Sequence, residues 1–389
     1  MRLLHTSDWH LGRSFHRESL HEAQRTFLDH LVAVVRAERV DAVLVAGDVY
    51  DRALPGLDAV ALFDDVLFRL AGLGVPTVFI SGNHDSARRL GVGSRLIDRA
   101  GIHLRTDPDG CAVPVLLADE HGPVAVYGLP YLEPALVRER FGLDRGGHDR
   151  VLGAAMDAVR ADLAGREAGT RAVVLAHAFV TGGEASDSER DITVGGVASV
   201  PASVFEGVHY AALGHLHGSQ TLAPHLRYSG SPLAYSFSEE HHRKSMWLVD
   251  LAADGSVAAE RIDCPVPRPL ARLRGTLAEL LADPRHTPHE QSWVQATLTD
   301  PARPAQPMDE LRRRFPHALQ LLFEPEGGDA DGALSYAARV SGRSDLEVAE
   351  GFVRHVRPGR SVDAAEHAWL VEGLESVRRS TERAQEETR

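Results

Sequence analysis

Short apolar runs alternate with longer amphipathic stretches through residues 1–265. Each apolar run is too short for a helix and ends at a turn signal, so we predict that these runs are buried strands. Alternation of strands with helices is typical of an α/β domain. The predicted strands lie at residues 3–4, 42–45, 77–80, 124–127, 172–175 and 210–213.

Two amphipathic helices are predicted between the first three strands. Residues 21–38 and residues 58–72 both repeat apolar side chains at helical spacing. Asp58 is a candidate N-cap for the second helix, and Gly72, Gly74 and Pro76 are expected to close it. We expect the apolar faces to pack on the core, with a dimer contact as an alternative role for one of them.

A proline-punctuated segment at residues 265–269 predicts a domain boundary. Beyond it, the pattern predicts a small unit rich in βαβ connections, followed by two helical apolar faces. The expected parts are a 1–265 domain, a 266–340 capping domain and a 341–389 helical partner-binding segment. Their predicted elements are a strand and helix over 270–281, a strand at 293–298, a helix at 308–315, a strand at 319–323, and helices near 345–356 and 369–377.

Length and composition bound the class of protein. The chain has 389 residues, which is longer than a single hydrophobic core usually supports, so more than one folded unit is expected. Its 43% apolar and 25% charged residues are ordinary for a soluble globular protein. It has no long apolar run and no basic start followed by an apolar segment, so we expect a cytoplasmic protein without membrane contact. Cys111 and Cys264 lack metal-type spacing and are expected to be buried, idle thiols.

The net charge of -13 argues against a DNA-binding module of the basic-patch kind. It does not exclude an enzyme that acts on DNA, because carboxylates that hold metal ions are neutralised when the ions bind. A partner subunit can also supply the positive surface. Two charged features are given no role: Lys244, the only lysine, and the cluster at residues 239–242, which is expected to be a solvated turn.

Metal-ligand side chains follow five of the predicted strands at their carboxyl ends. These ends share one edge of an open α/β sheet, which is where ligands bind. Each piece alone is typical of a turn, a helix cap or a structural histidine, whereas all five in order indicate one shared site. The residues are Asp8, His10, Asp48, Asn83, His84, His177, His215 and His217.

The chemistry of these side chains predicts the type of site. Carboxylate, amide and imidazole without thiolate suit Mn²⁺, Fe²⁺ or Mg²⁺ better than structural zinc. The set exceeds what one ion needs, so we predict two divalent ions that share Asp48, which lies on the central strand. Such a pair, about 4 Å apart, clamps a phosphodiester and activates water near neutral pH.

The motif blocks "DWH", "GDVYD", "GNHD", "LAH" and "GHLH" resemble the calcineurin-like metallophosphoesterase superfamily. The flanking strings "HTSDWHLGR", "NHDSARRL" and "RYSGSPLAYSFSEE" are similar to the nuclease subunits of bacterial SbcCD-type complexes. The resemblance covers the first domain, is weaker over 266–340, and is moderate at "SDLEVAEGFVRHVR". It implies an α/β fold, a two-sheet β-sandwich flanked by helices, with a small α+β capping domain and C-terminal helices.

The resemblance also implies a role for each matching residue. His84 would lie outside the metal shell and protonate the leaving oxygen or stabilise the phosphoryl charge, with a structural histidine as the alternative. Some relatives carry a second active-site histidine after the G-D block, where this chain has Asp51 or Arg52, so that role is not transferred. The implied ligands are Asp8, His10, Asp48 and His217 for the first ion, and Asp48, Asn83, His177 and His215 for the second.

Two arginines are candidate substrate contacts. Arg13 and Arg89 lie beside ligand loops and are suited to phosphate, although surface arginines are usually only solvated. The Ser/Gly-rich residues 181–196 would either order against DNA or serve as a spacer.

The function implied by the resemblance is metal-dependent DNA cleavage, both exonuclease and endonuclease, in DNA repair, replication and recombination, with Mn²⁺ as the first choice of ion. The implied partners are DNA, an SbcC-type ATPase with a long coiled coil, and a second copy of this chain. Apolar faces around Phe352 and Trp369 would suit a coiled coil, with packing on the capping domain as the alternative.

Two other functions stay open. A phosphatase or phosphodiesterase acting on a non-DNA phosphoester is disfavoured by the long extension past Pro265. A non-catalytic scaffold on the same fold is disfavoured because every ligand position is intact.

Overall fold

The computed structural model describes residues 1–189, 199–326, 343–357 and 361–386. The chain divides into two compact units, each of which is described by itself. The first unit comprises Met1–Arg272 with Gln291–Val294, and the second comprises Leu273–Glu290 with Gln295–Arg389. The predicted division into three parts stays a prediction.

The first unit contains fourteen complete strands and six α-helices among the described residues. The strands are β1 (Arg2–Thr6), β2 (Ser14–Phe15), β3 (Glu18–Ser19), β4 (Ala42–Ala46), β5 (Thr77–Ile80), β6 (Ile102–Arg105), β7 (Val115–Asp119), β8 (Gly122–Leu129), β9 (Arg171–His177), β10 (Tyr210–Gly214), β11 (Gln220–Ala223), β12 (Leu226–Tyr228), β13 (Ser245–Leu251) and β14 (Val257–Asp263). The helices are α1 (His21–Ala37), α2 (Leu57–Leu73), α3 (Ala87–Leu90), α4 (Ser94–Ile97), α5 (Pro134–Val137) and α6 (His148–Ala164).

Two six-stranded sheets form the centre of this unit. One has the order β14-β13-β1-β4-β5-β6, and the other has the order β11-β12-β10-β9-β8-β7. In the first sheet, β1, β4, β5 and β6 pair in parallel. In the second sheet, β8, β9, β10 and β12 do so. Antiparallel strands complete the edges. All six predicted strands are confirmed, and they occupy the interior of the two sheets.

The alternation of side chains along β4 explains the layers. Leu44 lies in a core layer with Val78 of its own sheet and Val173 of the other sheet. Val43 and Val45 lie in a different layer, with the buried faces of α1 and α2. Because both faces of β4 are covered, its sequence is apolar at every position and does not alternate between apolar and polar residues. The predicted α/β fold, a two-sheet sandwich flanked by helices, is confirmed.

The two predicted helices are confirmed with one correction. The N-cap of α2 is Gly56, so the prediction of Asp58 as the cap is wrong. Asp58 lies in the first turn instead, where its charge is favourable beside the positive end of the helix dipole. Gly74 ends α2 in the left-handed conformation at φ 69°, which is an ordinary glycine C-cap.

A three-stranded sheet with the order β15-β16-β17 follows. Leu280 and Leu311 are buried on its two helices, and capping boxes open α7 at Thr276 and α9 at Ser344. The elements are β15 (Leu270–Gly275), α7 (Leu277–Ala282), β16 (Trp293–Leu298), α8 (Pro307–Arg314), β17 (Ala318–Phe323), α9 (Asp345–Val356) and α10 (Ala364–Glu386). The strands and helices predicted beyond residue 265 are confirmed.

The two C-terminal helices contact each other through ion pairs. The Nδ1 atom of His367 lies 2.6 Å from Oε1 of Glu350, and Nη1 of Arg357 lies 2.5 Å from Oε1 of Glu366. Phe352 and Trp369 are 60% and 69% exposed, so the other described residues leave most of each residue uncovered. The described residues therefore give no support to the alternative that they pack on the capping domain.

Two expectations from composition concern cysteines and membranes. Cys111 and Cys264 are both buried and form no disulfide, and burial raises the pKa of each thiol to about 12, so both are inert as nucleophiles. Within the described ranges, every helix is too short or too polar to cross a bilayer.

The two sheets approach each other very closely at Gly214, the last residue of β10. A Cβ atom placed there would lie 1.9 Å from the carbonyl oxygen of Ala46 in β4. That distance is far below van der Waals contact, and the obstructing atom is backbone, which cannot rotate away. A glycine is therefore required where the ends of the two sheets meet.

We expect Gly214→Ala to lower the free energy of unfolding by roughly 1 to 3 kcal/mol, because the sheets must separate to admit the methyl group. Gly153→Ala is the matched control, since a Cβ on that α6 residue would meet nothing within 4 Å. The control should stabilise the chain by up to about 1 kcal/mol. Urea titration of both variants checks this, and equal unfolding curves would contradict it.

Candidate metal centre

The predicted metal ligands lie at or just after the carboxyl ends of β1, β4, β5, β9 and β10, with His177 as the last residue of β9. Four of them have positive φ angles: 52° at Asp8, 43° at His10, 49° at Asp48 and 104° at His215. Such left-handed backbone costs about 1 to 3 kcal/mol for a non-glycine residue and persists only when neighbours fix it. Here the backbone N–H of Asp8 donates to Gly47 O at 3.0 Å, and that of His10 donates to Asp48 O at 3.0 Å. The fold therefore holds these loops in strained conformations at one place.

Asp85 joins the loop after β4 to the loop after β5. Its carboxylate accepts hydrogen bonds from the backbone N–H groups of Val49, Tyr50 and Gly82, at 3.1, 2.9 and 2.9 Å. Burial, and then the nearby charge of Asp48, raises the pKa of Asp85 to about 7. Asp85 was not among the predicted site residues, although its place in "GNHD" was a signal.

All seven predicted ligand residues are brought together. Candidate ligand atoms of Asp8, His10 and His217 lie within 4.8 Å of one another, as do those of Asp8, Asp48 and His177. Two other contacts add the remaining residues. Oδ1 of Asn83 lies 2.9 Å from Nε2 of His177 and 3.3 Å from Nδ1 of His215.

The contacts of His177 fit a cation. Its Nδ1 donates a hydrogen bond to the carbonyl oxygen of Ala46 at 2.9 Å. The proton of a neutral imidazole is thereby used, so the Nε2 lone pair points towards Oδ1 of Asn83 and towards Oδ2 of Asp48 at 3.5 Å. Three acceptors facing one another repel unless a proton or a metal ion lies among them.

The contacts of His10 lead to the same conclusion. Its Nε2 lies 3.1 Å from Nε2 of His217, and its Nδ1 is buried, 3.6 Å from Oδ1 of Asp51, without a hydrogen bond to any described residue. If the proton is on Nε2, the lone pair of Nδ1 faces the Asp51 carboxylate. If the proton is on Nδ1, the lone pair of Nε2 faces His217 without a partner for it. A metal ion at Nε2 removes the conflict, so the donor set fits divalent cations.

Charges in the site shift several pKa values. Burial alone would lower the pKa of His177, but the Asp48 carboxylate outweighs it and raises that pKa to about 9. Burial raises the pKa of Asp8 to about 6. Burial would also raise the pKa of Asp48, yet His177, His10 and His84 together hold it well below its usual range. Protons thus occupy the site where ions would bind.

His84 lies against the same cluster. Its backbone N–H donates to Oδ1 of Asp48 at 2.9 Å, and its Nδ1 donates to the carbonyl oxygen of Asp51 at 2.9 Å. Its ring centroid is 4.6 Å from that of His10. The Nδ1 hydrogen bond orients the ring and uses the proton of that nitrogen.

The structure separates the two candidate substrate contacts. Arg13 is only 17% exposed: its Nη2 donates to Ser188 O at 3.2 Å, and its Nη1 lies 3.6 Å from Oδ1 of Asp51. Its guanidinium also lies 4.8 Å from the ring centroid of Tyr235. Arg89, in contrast, is exposed on the short helix α3. Arg13 therefore belongs to the wall of the site.

Tyr235 is a site residue that the sequence analysis missed. Its ring lies 5.2 Å from that of His10 and 5.5 Å from that of His217, and its hydroxyl donates to Trp9 O at 2.6 Å. It packs against two predicted ligands of the same ion. Its position in the string "SPLAYSF", far from every ligand in the sequence, gave no sign of this contact.

The prediction of a solvated turn at residues 239–242 is wrong for Glu239. Its side chain is fully buried and forms an ion pair with Lys244, which is also buried. Burial alone would raise the pKa of Glu239, but the Lys244 ammonium and His217 hold it below its usual range. His241 is exposed, as expected of a turn.

Part of the predicted loop 181–196 also belongs to the site. Oε1 of Glu189 accepts a hydrogen bond from the backbone N–H of His217 at 2.8 Å. Oγ of Ser188 lies 2.6 Å from Nδ1 of the same histidine. Residues 190–196 lie outside the described residues. The described part of this loop is therefore more than a spacer.

Comparisons with known proteins agree with this arrangement. A family model described as calcineurin-like phosphoesterase matches residues 1–219, more than half of the chain. The chain belongs to the calcineurin-like phosphoesterase family, which implies a phosphoester hydrolase with a metal site.

A second model, the SbcD C-terminal domain, described as type 5 capsule protein repressor C-terminal domain, matches residues 266–357. Together, the two matches support an SbcD-type subunit.

Three solved structures are more distant. A Thermus thermophilus protein is 13% identical, with a TM-score of 0.39, covering 67% of this chain and 98% of that one. GAP50, titled the anchor in the inner membrane complex of Plasmodium, is 12% identical, with a TM-score of 0.43 and coverage of 68% and 84%. A dimetal phosphatase from Danio rerio is 15% identical, with a TM-score of 0.33 and coverage of 59% and 86%. None of these likenesses carries an argument about activity.

We expect the affinity of the protein for Mn²⁺ to rise with pH. His177 must lose the proton that it holds up to about pH 9, so between pH 7 and 8.5 the affinity should rise by about tenfold per pH unit. Below about pH 6, Asp8 must also lose a proton, and the dependence should become steeper. Competition titration against a chelator under anaerobic conditions measures this, and constant affinity from pH 7 to 8.5 would contradict it.

Proposed function

We propose that this chain is a metal-dependent DNA nuclease that uses two divalent ions. The observation that carries the proposal is the convergence of six other ligand residues, with oxygen and nitrogen donors, around one buried carboxylate, Asp48. One ion would be held by Asp8, His10, Asp48 and His217, and the other by Asp48, Asn83, His177 and His215. Mn²⁺ is the proposed ion, with Mg²⁺ or Fe²⁺ as alternatives.

The chain's own residues would divide the work of phosphodiester hydrolysis. Divalent ions bound in the centre would neutralise phosphate charge and lower the pKa of the attacking water. His84, oriented through Asp51, would donate its Nε2 proton to the leaving oxygen. Arg13 would contact a phosphate oxygen, because its guanidinium is already held at the wall of the site. Arg89, being exposed, would contact DNA only at the rim.

Support for DNA as substrate comes from the SbcD-type pair of family matches. We propose that the chain cleaves DNA ends and hairpins, as exonuclease and endonuclease, in DNA repair, replication and recombination. It would act in the cytoplasm, on the nucleoid. The net charge of -13 gives no support to strong DNA binding by the chain alone, so a partner would supply much of the positive surface.

The proposed partners are an SbcC-type coiled-coil ATPase and a second copy of this chain. The exposed Phe352 and Trp369 on α9 and α10 are suited to helix packing with a coiled coil. Leu57 and Phe68 of α2 are also exposed, at 87% and 78%. They lie on one face of that helix, since eleven residues make about three turns, and this face supports a homodimer contact.

The purified chain should cleave linear and hairpin DNA in the presence of Mn²⁺, and addition of the ATPase should raise the rate. Gel analysis of end-labelled substrates with Mn²⁺, Mg²⁺ or Fe²⁺ measures both effects. Hydrolysis of a bis-aryl phosphodiester without any cleavage of DNA would favour a different phosphodiesterase. Inactivity on every substrate with all three ions would refute catalysis.

His84→Ala should reduce cleavage by about 10²-fold to 10⁴-fold, the usual contribution of a general acid, while the protein retains its ions. His241→Ala is the matched control, because that histidine is exposed beside the site and should leave activity unchanged. Metal content measured by mass spectrometry distinguishes the roles. Loss of an ion from His84→Ala would make His84 a ligand instead.

The double variant Phe352→Glu, Trp369→Glu should lose association with the ATPase and retain hydrolysis of a small phosphodiester. Both side chains are exposed, so the charges should not disturb the fold. Leu116→Glu on β7 is the matched control, because Leu116 is similarly exposed on the first unit. Co-purification of the double variant in normal yield would refute the docking role.

A further inference from the structure

We infer that Glu239, held in place by Lys244, is a positioning residue that orients His217 towards the first ion. The inference deepens the proposed function and rests on the metal centre described above. It starts from three polar side chains that the ligand set leaves unexplained: Ser188, Glu239 and Lys244.

Lys244 determines the charge of Glu239. The only lysine of the chain is buried, and its Nζ contacts Oε2 of Glu239. The same ammonium donates to the carbonyl oxygen of His217 at 3.0 Å and to Oγ of Ser231 at 2.9 Å. An ammonium can only donate hydrogen bonds, so Glu239 is present beside it as an acceptor-only carboxylate.

The direction of the next two hydrogen bonds follows from that carboxylate. Oγ of Ser188 lies 2.5 Å from Oε1 of Glu239 and 2.6 Å from Nδ1 of His217. Two oxygen atoms this close need a proton between them, and the carboxylate has none, so the single hydroxyl proton of Ser188 is donated to Glu239. Ser188 must therefore accept from His217, which places the imidazole proton on Nδ1.

This chain of hydrogen bonds leaves one nitrogen of His217 for a metal ion. With the proton on Nδ1, the lone pair of Nε2 points towards Nε2 of His10, 3.1 Å away. Lys244 also holds the backbone of His217 from the carbonyl side, while Glu189 holds it from the N–H side. Ring orientation and tautomer of a metal-binding histidine are commonly fixed by an outer carboxylate. Here Ser188 makes the short contacts to both side chains, and Nδ1 of His217 itself lies 3.5 Å from Oε1 of Glu239.

The arrangement is specific to one of the two ions. His177 and His215, assigned to the second ion, bond to the Ala46 carbonyl oxygen and to Asn83. Neither has a contact with Glu239 or Lys244 among the described hydrogen bonds. Removing the carboxylate should therefore weaken the first site and spare the second.

The test is a calorimetric titration of the full-length, metal-free protein with Mn²⁺. Glu239→Gln should weaken the first ion by about 10-fold to 100-fold and change the second by less than about threefold. Glu240→Gln is the matched control. The carboxylate of Glu240, the next residue along the chain, pairs with Arg272 and not with His217. This variant should leave both affinities unchanged. Equal weakening of both ions, or of neither, would overturn the inference.

Variants at Lys244 separate positioning from folding. Lys244→Arg should retain both affinities, whereas Lys244→Met with Glu239→Gln removes the buried charges together and should fold but bind the first ion weakly. Arg243→Met is the control, because its pair with Asp263 is exposed. If Lys244→Arg and the double variant both fail to fold, the pair belongs to the stability of the fold and the inference is wrong.

The tautomer of His217 gives a readout that is independent of catalysis. Nitrogen-15 spectra of the metal-free protein should place the His217 proton on Nδ1 in the native chain and lose that preference in Glu239→Gln. A proton on Nε2 in the native chain would overturn the inference. A protein that binds no Mn²⁺ at all would instead refute the metal centre and, with it, the proposed function.

Discussion

Asp48 is a carboxylate that folding removes almost completely from water, with three histidines beside it. A buried carboxylate without a compensating cation costs several kcal/mol, so the rest of the site must supply positive charge. In the metal-free protein that charge is a proton, and His177 holds it up to about pH 9. The same place would hold a divalent ion. Most features of the site follow from this requirement.

The fold meets the requirement by bringing two sheets to one edge at very short range. Gly214 admits the Ala46 carbonyl, and Gly82 leaves room for the Asp48 side chain, whose Oδ1 would lie 2.1 Å from a Cβ there. The close approach also places Asp8, His10 and Asp48 in the left-handed backbone conformation. Strain of this kind persists at functional sites because the surrounding sheets determine the loop conformations. The stability of the apolar sandwich thus maintains the geometry of the polar site.

The sequence was sufficient for the layers and for the principal site residues, because both depend on local patterns. Buried strands are short apolar runs, and Asp8, Asp48 and Asn83 follow them directly. The outer contacts were beyond such reasoning. Glu239 looks like a surface residue in "SFSEEHH", and its burial depends on Lys244 and on Ser188, which is 51 residues away in the sequence. Asp58 failed as a cap for a local reason, since Gly56 already begins the helix.

The sharing of Asp48 between two ions can be seen directly in a crystal structure of the protein with Mn²⁺, with anomalous scattering recorded near the manganese edge. We expect two manganese peaks that share Asp48, one contacting His10 and His217 and the other contacting His177 and His215. A single peak, or a pair of which neither contacts Asp48, would contradict this expectation.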